Sequence, residues 1–129
     1  MTIKSKILLL EDSVSLLEIY NTRLLSEGFD VATATWGKDA IELAATFNPD
    51  LFMVDIMLPD MSGLEFIEKI KNVPAGQNAG FIVLTALEMK DMQQKAATLG
   101  VDDYLVKSEV SLEDIVNTVI EVLKRKKSS

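Results

Sequence analysis

The chain has no cysteine and no histidine among its 129 residues. Without cysteine it has no disulfides, no thiolate metal site and no thiol nucleophile. Without histidine it lacks the commonest general base and the commonest zinc ligand. Any chemistry must therefore run on carboxylates, hydroxyls and amines. Positive charge is also scarce: 13 Lys and Arg face 20 Asp and Glu, a net charge of −7. That balance argues against a broad electrostatic footprint for nucleic acid and against docking on an anionic membrane surface. No apolar stretch approaches the roughly 18 residues a membrane-spanning helix needs. The opening Met1-Thr2-Ile3-Lys4 leads into an apolar run too short for a signal peptide before Glu11-Asp12 interrupts it. A soluble cytoplasmic protein is the expectation. A hydrophobic fraction of 48%, with charges spread along the chain, predicts a folded core. The length predicts one domain spanning residues 1–129, its core about 5–125.

Apolar runs alternate with amphipathic patterns five times. Lys6–Leu10, Leu51–Val54, Phe81–Leu84 and Asp103–Val106 read as strands, and Phe29–Thr33 as another. Between them, Val14–Glu27 carries Leu17, Tyr20, Leu24 and Leu25 at helical spacing and meets Gly28, a helix stop. Lys38–Phe47 repeats the pattern up to Pro49. Ser62-Gly-Leu-Glu65 matches a capping box for a helix presenting Phe66, Ile67 and Ile70, and Val73–Gly80 reads as a rather long loop. A weaker helix follows over Met89–Leu99. Ser111-x-x-Asp114 caps a last one striped by Leu112, Ile115, Val116, Val119, Ile120 and Leu123. Strands separated by helices require parallel crossovers, so the expected fold class is α/β, a doubly wound five-stranded parallel sheet of (βα)5 flavodoxin-like form. The Lys124–Lys127 cluster suits the C-terminal end of a helix, where cations are favoured.

Four of the apolar runs end on reactive polar residues: Glu11-Asp12, Asp55, Thr85 and Lys107. In an open parallel sheet these positions share the carboxyl edge, where ligands bind at the point of reversed strand order. Three carboxylates gathered there repel one another and call for a cation, and a hard divalent ion such as Mg²⁺ prefers such oxygen ligands. Lys107 adds a fixed positive charge. Asp55 is the candidate nucleophile: a carboxylate attacking a phosphoryl group forms an acyl phosphate, and positioned cations stabilise the spread of charge. Taken alone, Thr85 is an ordinary strand residue and Lys107 a surface lysine. Together with the acids they make one phosphoryl-handling set.

Other phosphate chemistries match less well. A flavin binder would need a Ser/Thr/Gly-rich loop after the first strand, where Glu11-Asp12 stands instead. No G-x-x-x-x-G-K-[ST] run is present. A phosphatase of the haloacid dehalogenase type uses a second Asp two positions after its nucleophile, and here that residue is Met57.

With Glu11-Asp12, Asp55-Ile-Met-Leu-Pro-Asp-Met-Ser-Gly63, Thr85-Ala86 and Tyr104-Leu-Val-Lys107 in order, the chain resembles a response-regulator receiver domain of two-component phosphorelay signalling, from Lys6 to about Arg125. The resemblance implies that Asp55 accepts a phosphoryl group from a sensor histidine kinase or histidine phosphotransfer protein. It implies that Asp12 ligates Mg²⁺ directly, Glu11 through water and Met57 through its backbone carbonyl, with Asp55 completing the set. It further implies that Thr85 is the switch hydroxyl, Tyr104 the aromatic switch residue and Lys107 the phosphate-pairing lysine. Output would be altered binding of a downstream protein on the face of the fourth helix, fifth strand and fifth helix. No substrate turnover is implied beyond acceptance and self-dephosphorylation, and no direct contact with nucleic acid or membrane. An Asp-nucleophile phosphatase and a phosphorylation-independent interaction module are the alternatives. One residue departs from the family pattern: Ser108 follows the lysine where the family usually has a proline in a cis bond, which leaves cis and trans both open. Met57 and Leu87, two residues after Asp55 and Thr85, are bulky and apolar and predict slow self-dephosphorylation.

Overall fold

The computed structural model describes residues 4–128. Met1, Thr2 and Ile3, on which part of the N-terminal reading rests, lie outside the described residues, as does Ser129. Among the described residues five strands, β1 (Lys6–Leu10), β2 (Asp30–Ala34), β3 (Leu51–Val54), β4 (Gly80–Thr85) and β5 (Asp103–Val106), alternate with five helices. These are α1 (Val14–Ser26), α2 (Gly37–Phe47), α3 (Gly63–Lys71), α4 (Lys90–Thr98) and α5 (Leu112–Ser128), and 3₁₀ turns follow α3 (Pro74–Gly76) and β5 (Lys107–Glu109). All pairings are parallel, in the order β2-β1-β3-β4-β5.

The inner strands explain why the sheet is covered on both faces. Leu8, Leu10, Phe52, Val54, Phe81 and Val83 point to one side and join Ala40, Ala44, Phe66, Ile67, Ile70 and Ala96. Ile7, Leu9, Leu51, Met53, Ile82 and Leu84 point to the other and join Tyr20, Leu24, Ile115, Val119 and Val122. Apolar side chains at consecutive strand positions fill two cores, which is what strands without polar alternation require. Phe52 stacks on Phe81 with centroids 5.0 Å apart and tilts 59° against Phe66, locking β3, β4 and α3 together.

Element ends follow local chemistry, with a few shifts from the sequence expectation. Gly28 takes φ +93° just after α1, as a left-handed stop requires. Leu25, at helical spacing with Leu17, Tyr20 and Leu24, is 49% exposed, on the solvent side of α1. Ser62 caps α3 by accepting from the Leu64 N–H, while Glu65 pairs with Lys69 one turn on rather than closing a capping box. Ser111 and Asp114 do form the reciprocal box at α5: each backbone N–H donates to the other side chain, at 2.9 and 3.0 Å. The long loop after α3 contains the 3₁₀ turn at Pro74–Gly76. No described helix is long and apolar enough to cross a membrane.

Candidate functional site

Strand order reverses between β1 and β3, because β1 continues to β2 on one side and β3 to β4 on the other. A crevice opens there at the carboxyl edge. Into it come Glu11 and Asp12 from the end of β1 and Asp55 from the end of β3. Backbone bonds set these stubs: the Glu11 N–H donates to the Ala34 carbonyl at 3.1 Å and the Asp55 N–H to the Leu10 carbonyl at 3.0 Å. Glu11 is 2% exposed and Asp55 5%, whereas Asp12 is open to solvent. One carboxylate oxygen from each of the three lies within 4.8 Å of the others.

Lys107 closes this cluster. Its Nζ lies 2.7 Å from Glu11 Oε1 and 2.7 Å from Asp55 Oδ2. Burial pushes the lysine's pKa down, but the hydrogen bonds it donates to Asp55 and Glu11 outweigh it, so the net shift is upward and the amine stays charged. Burial likewise raises the Glu11 pKa against the opposing pull of Lys107 and the Ser13 N–H, which donates to Glu11 Oε2 at 3.0 Å. No described peptide bond is cis. The bond between Lys107 and Ser108 is therefore trans, and the lysine reaches both acids from the first residue of a 3₁₀ turn.

The other oxygen of Asp55, Oδ1, accepts from the Met57 N–H at 3.1 Å. The Asp55 carboxylate is thus held on both oxygens. Below it the chain turns sharply: Met57 bridges Ser62, and the Gly63 N–H donates to the Ile56 carbonyl at 2.8 Å. A Cβ on Gly63 would collide with the Asp55 carbonyl oxygen. Only glycine lets α3 begin this close to the site.

Thr85 is fully buried at the end of β4. Its hydroxyl joins none of the carboxylates among the described hydrogen bonds; Oγ1 accepts from the Leu87 N–H at 3.3 Å. The Tyr104 hydroxyl donates to the carbonyl of the same Leu87 at 2.6 Å. Burial, with a smaller contribution from Asp55, raises the Tyr104 pKa. The sequence reading named Thr85 and Tyr104 but missed what joins them. A backbone unit has no side-chain signal, and Leu87 is that unit.

A hard divalent cation fits this donor set. Three carboxylate oxygens converge, and their repulsion at about 4 Å is roughly 4 kcal/mol per pair at an effective dielectric near 20, with one lysine to offset it. Three acids and one lysine leave the cluster at −2, a charge that a divalent ion would neutralise.

Response regulator receiver domains match this chain over residues 7–120. The chain belongs to that family. It is 34% identical over 121 residues to the probable transcriptional regulatory protein TcrX of Mycobacterium tuberculosis, an alignment covering 92% of this chain and 50% of the relative. Among solved structures it resembles the signal receiver domain of a putative LuxO repressor protein from Vibrio parahaemolyticus, at 30% identity and a TM-score of 0.88, covering 97% of this chain and 94% of that one. A CheY-like receiver domain protein from Methanospirillum hungatei superposes with a TM-score of 0.91 at 24% identity, covering 98% of both chains, a likeness of fold. The chain spans about half the length of the curated relatives it matches. Since several relatives are named transcriptional regulators, the acidic balance that disfavours nucleic acid bears on these 129 residues alone.

Proposed function

We propose that residues 1–129 work as one receiver domain in which Asp55 accepts a phosphoryl group from the phosphohistidine of a sensor histidine kinase or histidine phosphotransfer protein. The observation that carries this reading is the Asp55 carboxylate itself: buried, held by Met57 N–H and Lys107 Nζ, and within reach of Glu11 and Asp12. In the transfer the donor's N–P bond breaks and an O–P bond to Asp55 forms. The imidazole leaves with the electron pair of the broken bond and takes up a proton. Lys107 already lies against Asp55 and would follow the phosphoryl oxygens, neutralising charge that spreads onto them. Glu11, Asp12 and Asp55, with the Met57 carbonyl, would hold Mg²⁺, which when bound supplies further positive charge to those oxygens.

A phosphoryl group on Asp55 competes for the Thr85 hydroxyl, now engaged by Leu87. Releasing Leu87 alters the carbonyl that Tyr104 holds, so the message passes along the loop between β4 and α4 to the face of α4, β5 and α5, where a downstream protein would bind. The chain acts as an acceptor and switch rather than a turnover enzyme, in the cytoplasm. Beryllofluoride with Mg²⁺ tests the reading by mimicking the acyl phosphate. Amide resonances near Thr85 and Tyr104 should shift together. No shift would favour a phosphorylation-independent module, and steady hydrolysis of phosphomonoesters would favour a phosphatase.

A further inference from the structure

Helix α2 starts without a side-chain cap of its own. Trp36 occupies its N-cap position, makes no capping bond and is 50% exposed. The cap comes from elsewhere in the chain. Asp60, at the tip of the turn after Asp55, accepts from the Gly37 N–H through Oδ1 at 2.8 Å and from the Lys38 N–H through Oδ2 at 2.9 Å. Next to it Met61 fits under Gly37 so closely that a Cβ there would stand 2.6 Å from the Met61 sulfur. Desolvation pushes the Asp60 pKa up, but the N–H groups of Lys38, Gly37 and Asp60 itself together outweigh it, and the net shift is downward from the ordinary value. The two bonds are charge-assisted and lie at the positive end of the helix dipole.

The segment strapped down in this way is the one that sets Asp55. Between Asp55 and Gly63 the turn is closed inwardly by the Met57–Ser62 bridge and the bond from the Met57 N–H to Asp55 Oδ1. Its outer end is tied by Asp60. We propose that Asp60 is a positioning residue: by capping α2 from the phosphoacceptor turn, it fixes the Met57 backbone and, through it, the orientation of the Asp55 carboxylate. The proposal rests on the reading that Asp55 accepts phosphoryl groups. Loosening the tip would let the Met57 N–H drift from Asp55, and a misplacement of about 1 Å can cost up to ~100-fold in rate.

Two roles for Asp60 have to be separated, because removing a cap also destabilises the helix it caps. The test compares the parent, Asp60→Ala, and Asp60→Ala combined with Trp36→Ser, which gives α2 a local serine cap. The thermal midpoint is measured for each, and the rate of phosphoryl uptake from a small-molecule acyl phosphate with Mg²⁺ is measured well below the unfolding range. Asp60→Ala should lower both, the rate roughly tenfold or more. The double variant should recover the thermal midpoint while its rate stays low, and Asp60→Asn, which keeps one accepting oxygen, should fall between. Asp60→Ala reacting at the parent's rate would overturn the proposal, as would a double variant that recovers both properties. If the parent takes up no phosphoryl group from the acyl phosphate or from a phosphohistidine donor, the proposed function falls and this role falls with it; a reactive parent with an equally reactive variant removes only the role of Asp60.

Discussion

Replacing Lys107 by Met keeps most of the aliphatic stem and removes a cation that touches two buried carboxylates. Glu11 and Asp55, at 2% and 5% exposure, would each lose a partner at 2.7 Å. Deleting one member of a buried ion pair typically costs about 3–5 kcal/mol, because the remaining charge is left uncompensated. Here Lys107 is itself 16% exposed and water reaches the cluster beside Asp12, so the lower end applies, about 3 kcal/mol. For a domain of this size that is on the order of 10 °C in thermal midpoint. The loss should appear in full when divalent ions are chelated and shrink as Mg²⁺ is added, since an ion on Glu11, Asp12 and Asp55 neutralises the same charges and stabilises by mass action. The pH dependence follows from the raised pKa of Lys107. A group whose pKa is higher in the folded state contributes stability that is complete below its unfolded pKa and is lost as pH rises through the folded one. The deficit of the variant should therefore be flat across neutral pH and close only above the ordinary lysine range. Scanning calorimetry with and without Mg²⁺ checks this. A Lys107→Met protein as stable as the parent under chelation would refute the electrostatic account of the site.

Two further outcomes concern the surroundings of Asp55. Substituting Met57→Asn or Leu87→Asn places a water-binding amide beside the acyl phosphate and should shorten its lifetime, read as loss of phosphorylated protein over time; equal lifetimes would remove the role assigned to these apolar side chains. Burial raises both tyrosines of the chain, Tyr20 and Tyr104. Phenolate absorbance should therefore develop only above the ordinary tyrosine range in the folded protein, and stability should fall as pH rises through those raised values, whereas a normal titration would contradict the buried placement.

The two-sided apolar strands and their polar C-terminal residues made the sheet and its active edge legible, because burial on both faces and a charge at a strand end leave direct marks in sequence. Asp55, Glu11 and Lys107 meet where the topology requires. Contacts made by backbone leave no such mark. The grip of Thr85 and Tyr104 on the two ends of Leu87 uses its N–H and C=O, and its side chain has no part in it. Asp60 carries no local signal of its role, since its partners lie 22 and 23 residues away at the start of α2. The exposure of Leu25 shows the same limit: helical spacing identifies a stripe, but neighbouring elements decide how wide a stripe is covered.

Everything proposed for this domain depends on Asp55 being the phosphoacceptor. The most direct measurement is mass spectrometry of the protein after reaction with a phosphohistidine donor and Mg²⁺, with the acyl phosphate trapped by borohydride reduction and located by peptide sequencing. A single phosphoryl group is expected, mapped to Asp55 and absent from Asp55→Asn. A phosphoryl group on another residue, or its persistence in Asp55→Asn, would contradict it.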